Sequence, residues 1–238
     1  MKKSVFIAAV LSAAIFTSCA SKEAEDDEIY YEGDEGFSTE IEAPQMTENF
    51  LGDFDAIKLE ETMVLVKNLG KLKVKQLKST YLVPRKNTVE FTFHYGANII
   101  GLIMNQKERT AIIDTANRFF EEYENKELRK HKVNKRTAYY NSTMPLYWGI
   151  ASTNYGSRKN KFYLNYEIIE KRAYFVIHFI PTRNDSDKNG GSTDTITTMT
   201  PKVTLYLSPS QLHEFVDLLE QENLENIVKN YTKKAYTY

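Results

Sequence analysis

Between Thr88 and Tyr95 the apolar residues Val89, Phe91, Phe93 and Tyr95 alternate with Thr88, Glu90, Thr92 and His94, the period of two that marks a half-buried strand. The next run, Ala97 to Met104, is almost wholly apolar and suits a central strand covered on both faces. At Asn105-Gln106-Lys107-Glu108 the period changes. Asn105 can accept from an early helix amide while Glu108 reaches back to the cap. Ile112, Ile113, Ala116, Phe119, Phe120 and Tyr123 then recur at helical spacing, which predicts an amphipathic helix to about Arg129.

The C-terminal half repeats this order. Phe162, Leu164, Tyr166 and Ile168 alternate with their neighbours, as do Tyr174, Val176, His178 and Ile180 after a Glu170-Lys171-Arg172 turn, so a hairpin is expected. Pro181 to Pro201 is polar, with Asn189-Gly190-Gly191 inside it, and reads as a long mobile loop. Val203, Leu205 and Leu207 mark another strand, and Ser208-Pro209-Ser210-Gln211 a second capped helix start. Leu212, Phe215, Val216, Leu219, Leu224 and Ile227 carry its stripe. With Asn105 set on Ser208, Ile112, Ile113 and Ala116 fall on Phe215, Val216 and Leu219. The expected fold class is α+β, with two similar halves over 49–135 and 136–238. Each is an antiparallel sheet closed by one helix (βββα-like), the first completed by a strand around Lys71 to Leu77.

The N-terminus has a different pattern. Lys2 and Lys3 precede an apolar run from Val5 to Phe16 broken only by Ser12, the layout of a secretory signal over residues 1–18. Twelve residues fall short of the ~20 that a spanning helix needs. The run ends in Phe16-Thr17-Ser18-Cys19, and Cys19 is the only cysteine, so neither an internal disulfide nor a cysteine metal site is available. The residues Thr17-Ser18-Cys19 resemble a lipobox, the signal-peptidase II site of bacterial lipoproteins. Phe16 in place of the usual leucine makes it the relaxed form seen in spirochaetes. That resemblance implies cleavage before Cys19, acylation of its thiol by palmitate-like chains, and a lipid-anchored life in the cell envelope. Ala20 lacks the aspartate that retains lipoproteins on the inner membrane in enteric bacteria, so the outer membrane is the expected address, on its periplasmic or its surface face.

Charge divides the rest of the chain. Residues 20–48 hold eleven carboxylates against one base, Lys22. Few aliphatic residues accompany them, which predicts a disordered, self-repelling tether over 19–48. The whole chain carries −1, yet residues 49–238 hold 28 Lys and Arg against 21 Asp and Glu. A basic body of this kind points to an anionic partner. One basic stretch contains Lys67, Lys71, Lys73, Lys75, Lys78, Arg85 and Lys86, another Arg129, Lys130, Lys132, Lys135 and Arg136. Of these, Lys71, Lys73, Lys75, Lys78, Arg85, Lys86, Arg129, Lys130 and Lys132 are the candidate contacts to an anionic ligand.

Motifs that would specify a reaction do not occur. His94, His131, His178 and His213 are scattered outside any metal-ligand spacing. Nucleophile-elbow, phosphate-loop and dinucleotide fingerprints are missing too. No catalytic residue, metal site or cofactor is therefore assigned. Trp148 stands in the aromatic segment 139–149, either as core or as a stacking platform. The leading expectation is a non-catalytic envelope lipoprotein. It meets the membrane through lipid on Cys19, and its body binds an envelope protein or an anionic polymer. In element order the two halves also resemble the PUR and Whirly-like proteins, whose paired strand-helix repeats bind single-stranded nucleic acid. Export argues against that partner. A hydrolase of envelope polymers is the third alternative, since paired carboxylates leave no local trace.

Overall fold

The computed structural model describes residues 49–68, 71–77, 79–130, 134–150, 154–185 and 199–235. Cys19, the signal segment, the acidic stretch, Lys78, His131, Lys132 and residues 186–198 of the expected loop lie outside the described residues. The described strands are β1 Ile57–Lys58, β2 Met63–Asn68, β3 Lys71–Gln76, β4 Ser79–Val83, β5 Thr88–Tyr95, β6 Asn98–Met104, β7 Tyr140–Gly149, β8 Tyr155–Ile169, β9 Arg172–Phe179 and β10 Thr204–Leu207. The helices are α1 Gln106–Glu124, α2 Pro209–Leu219 and α3 Gln221–Ala235.

All ten strands join one antiparallel sheet in the order β1-β4-β5-β6-β7-β8-β9-β10-β2-β3. The two small separate sheets expected from the sequence are thus one. The chain's path forces that sheet to curl. Strands β1 and β2 are four residues apart in sequence yet stand near opposite ends of the order. Ten flat strands would spread over about 43 Å, whereas a four-residue link reaches less than about 20 Å. At the two crossings the amide of Leu59 donates to the Thr80 carbonyl at 2.8 Å and that of Leu77 to the Thr62 carbonyl at 2.9 Å. One bent hairpin, 57–83, therefore contributes strands to both ends of the sheet.

Helices α1 and α2 cover one face of the sheet. Phe119 of α1 packs edge-on to Phe175 of β9 with centroids 5.9 Å apart, and Phe215 of α2 lies 5.3 Å from Phe91 of β5. Removing each such ring from water contributes about 1.5–3 kcal/mol. Both expected capping boxes form: Asn105 accepts from the Glu108 amide and Ser208 from the Gln211 amide, with the reciprocal bonds present. The single C-terminal helix expected from the sequence is two helices, because Glu220 adopts an extended backbone.

At that break a buried cation joins three elements. Arg109 of α1 is 1% exposed. It donates to the Asn87 carbonyl at 2.6 Å, to Asn87 Oδ1 at 2.9 Å and to Gln221 Oε1 at 2.6 Å. Asn87 closes the turn after β4 with φ of 45°, a left-handed conformation that asparagine tolerates. Burial lowers the Arg109 pKa to about 10, so it stays charged at neutral pH and its neutral acceptors must solvate it.

Candidate binding site

The face of the sheet opposite α1 and α2 carries the site. In β8, β9 and β10 the core residues Leu164, Ile177 and Leu205 alternate with residues that point the other way. Register sets Tyr163 beside His178 and His178 beside Thr204, while Tyr206 lies between Val176 and Leu65. Lys67 follows Val66, the partner of Leu205. Four strands drawn from both ends of the chain thus place a tyrosine, a histidine, a threonine, a second tyrosine and a lysine on one patch. Together with Tyr95, Glu167, Lys130 and Lys202 they wall a cavity of about 600 Å³, within the range of small-ligand sites.

Electrostatics follow from partial burial. The Tyr163 and His178 rings stack at 4.5 Å, and Thr204 Oγ1 lies 2.8 Å from His178 Nδ1. Burial first, and the charge of Lys202 second, lower the His178 pKa to about 4. The imidazole is neutral at physiological pH. Tyr206 is pushed well up, by burial and then by the adjacent Glu167, whose carboxylate it faces as a hydrogen-bond donor. Burial also raises Tyr163 and Tyr95, the latter bonded to the Thr204 backbone. Lys67 Nζ stands 3.3 Å from Glu167 Oε1. The wall therefore presents three lysines against one carboxylate, with protonated phenols between them. Such a surface attracts an anion and offers it neutral donors.

The sequence-predicted cations are dispersed. Of the described candidate contacts only Lys130 lines the cavity, and Lys67 of the first basic stretch lines it too. Lys71, Lys73 and Lys75 stand exposed on β3, the last strand of the sheet. Arg85 pairs with Asp53, and Lys86 is exposed in the same turn. Arg129 is held through its backbone, donating to Tyr166 Oη at 3.1 Å and accepting from it at 3.0 Å. Lys78 and Lys132 fall outside the described residues. Sequence reasoning missed Lys202, Glu167, Tyr95, Tyr163 and Tyr206, and gave His178 no role beyond its place on a strand. The available signal was that most alternate residues of β8 to β10, Tyr163, Glu167, Tyr174, His178, Thr204 and Tyr206 among them, are polar or aromatic, where a solvent-facing sheet would carry short polar groups.

Trp148 is 3% exposed and packs toward Tyr155 at 6.0 Å. It is core, and the stacking-platform alternative falls. A second hollow, of about 740 Å³ beside α1, includes Arg118 and Tyr139. Arg118 and Tyr139 are engaged through Glu122: Arg118 bonds Glu122 at 2.9 Å and lies 4.5 Å over the Tyr139 ring, and the Tyr139 hydroxyl donates to Glu122. Among the described residues no three His, Cys, Asp or Glu side chains gather as metal ligands, and no helix is long and apolar enough to cross a membrane.

Comparison with known proteins agrees with a spirochaete-like protein. A Treponema pallidum (strain Nichols) protein, described only as uncharacterized, is 28% identical over 156 residues, 65% of this chain. Those residues span 53% of that relative, so the chain matches about half its length. No solved structure matches. A family model described as "Uncharacterised Treponema protein" matches residues 40–226, and the chain belongs to that family.

Proposed function

We propose that this protein is an exported lipoprotein, acylated on Cys19 and held in the cell envelope, whose body binds an anionic envelope component without acting on it chemically. The observation that carries the binding role is the cavity beside β8, β9, β10 and β2, where Lys67, Lys130 and Lys202 face one carboxylate. The anchor rests on the lipobox-like Thr17-Ser18-Cys19. One acyl chain gives marginal membrane affinity and several make it lasting. Cells fed a labelled fatty acid should yield protein whose mature N-terminal peptide carries label on Cys19. A Cys19→Ala variant should lose both the label and membrane fractionation. Unlabelled, unprocessed wild-type protein would contradict the anchor.

The same proposal includes two diverged copies within the body. Register supports it: β6 meets the end of β7 with Leu102 opposite Leu146, as β10 meets β2 with Leu205 opposite Val66, and each of β6 and β10 runs directly into a capped helix. The copies are the halves 49–135 and 136–238, each supplying strands to one shared sheet. This twin arrangement favours a second reading, single-stranded nucleic-acid binding. It predicts oligonucleotide affinity that falls steeply with salt as counterions are released. Binding insensitive to salt, or none, would remove it.

A further inference from the structure

We propose that the open edge of β3 accepts an extended acidic segment of a partner protein as an added strand. This stands apart from the cavity and does not depend on it. In the sheet order β3 is terminal, with β2 its only neighbour. Strand β5 passes close to it without forming a ladder. The orientation of its free backbone groups can be read from the hairpin. The Leu77 amide donates across to Thr62, and in an antiparallel pair the bonding direction alternates residue by residue. Lys71, Lys73 and Lys75 therefore turn their N–H and C=O groups toward β2, while Leu72, Val74 and Gln76 turn theirs outward. Among the described residues, nothing bonds those outward groups.

The side chains specify the occupant. Lys73 and Lys75 lie opposite Val66 and Val64, which are buried in the core, so the lysines stand on the helix-bearing face. Leu72 and Val74 stand on the other face, and Val74 is 61% exposed. An added strand would place alternate residues beside the lysines and the rest beside Leu72 and Val74. Like charge rejects a second copy of β3, since inward-pointing lysines on an edge oppose self-pairing. The fitting partner is a segment in which acidic and apolar residues alternate, docked by main-chain bonds and sorted by its side chains.

A fluorescein-labelled decapeptide of alternating glutamate and valine, titrated into the full-length chain in detergent, should raise anisotropy saturably. Val74→Pro removes the central outward N–H and leaves the bonds to β2, so it should weaken binding by about tenfold or more. The double variant Lys73→Glu/Lys75→Glu should switch preference to a lysine-valine peptide. Should Val74→Pro unfold, N-methylation of alternate peptide amides in the probe should abolish binding to the wild type. Absence of wild-type binding, or binding indifferent to both N–H removal and charge reversal, would overturn the proposal. So would concentration-dependent dimerisation that Lys73→Glu/Lys75→Glu leaves intact, which would assign the edge to a second copy.

Discussion

At two places in the sheet a strand enters a capped helix while its outer face meets another strand, and the two faces differ in chemistry. Beside β6, the outward residues are Ile99, Gly101 and Tyr147, with Ile99 and Tyr147 41% and 44% exposed. Beside β10, the outward residues are Thr204, Tyr206, Lys67 and His178, with Tyr206 5% exposed under partners that wall a cavity. Backbone, register and helix caps match, so none of these distinguishes the faces. The difference lies in side chains contributed by strands far apart in sequence, and the binding chemistry lies with them. Fold likeness between the regions is therefore no argument for likeness of function.

The comparison assumes one cooperative body, and core truncation is the strongest way to break it. Phe119→Ala and Phe215→Ala each remove a ring packed on the opposite half of the chain's strands. Each should cost about 3–5 kcal/mol, with a single unfolding transition in calorimetry. Two resolved transitions, only one of them shifted, would mean the regions fold separately. Smaller effects should appear at the caps. Asn105→Ala and Ser208→Ala should each lower stability by about 1 kcal/mol, and similar values would show that the two helix starts are energetically equivalent.

pH separates the faces more finely. The folded pKa of His178, about 4, is depressed below its ordinary 6.5. Protonation therefore favours the unfolded chain. The stability this group contributes is present above pH ~6.5 and is lost as pH falls from there toward 4. Denaturant midpoints measured across that range should fall for the wild type and flatten in His178→Gln. Identical pH profiles for wild type and His178→Gln would show that the ring is not desolvated by the cavity.

Much of the fold was legible because its signals are local. β5 and β6, both capping boxes and the β8–β9 hairpin follow from period and cap residues within a few positions of each other. Of the bent hairpin 57–83, only β3 was legible, as the strand expected around Lys71 to Leu77. Nothing local shows that Met63-Val64-Leu65-Val66 pairs with it on one side and crosses to pair with β10 on the other. β7 was hidden because Pro145 interrupts it at a register shift. The helix break at Glu220 has no glycine or proline. It coincides with Asn223 Nδ2 donating to the Asp217 carbonyl at 2.7 Å and Gln221 accepting from Arg109, contacts that only the fold supplies. The site was least legible, since it needs the register of four strands at once: each basic stretch supplies one lysine to the cavity, Lys67 and Lys130, and nothing local distinguishes these two from their neighbours.

The most direct test of the cavity as the binding site is calorimetric titration of the full-length chain in detergent with an acidic trisaccharide, trigalacturonate, at low salt. Saturable binding is expected, which Lys130→Ala/Lys202→Ala weakens by about tenfold or more and which a neutral trisaccharide does not reproduce. Lys71→Ala/Lys73→Ala/Lys75→Ala should leave it unchanged. Binding that survives the cavity pair and disappears with the β3 lysines would contradict the assignment.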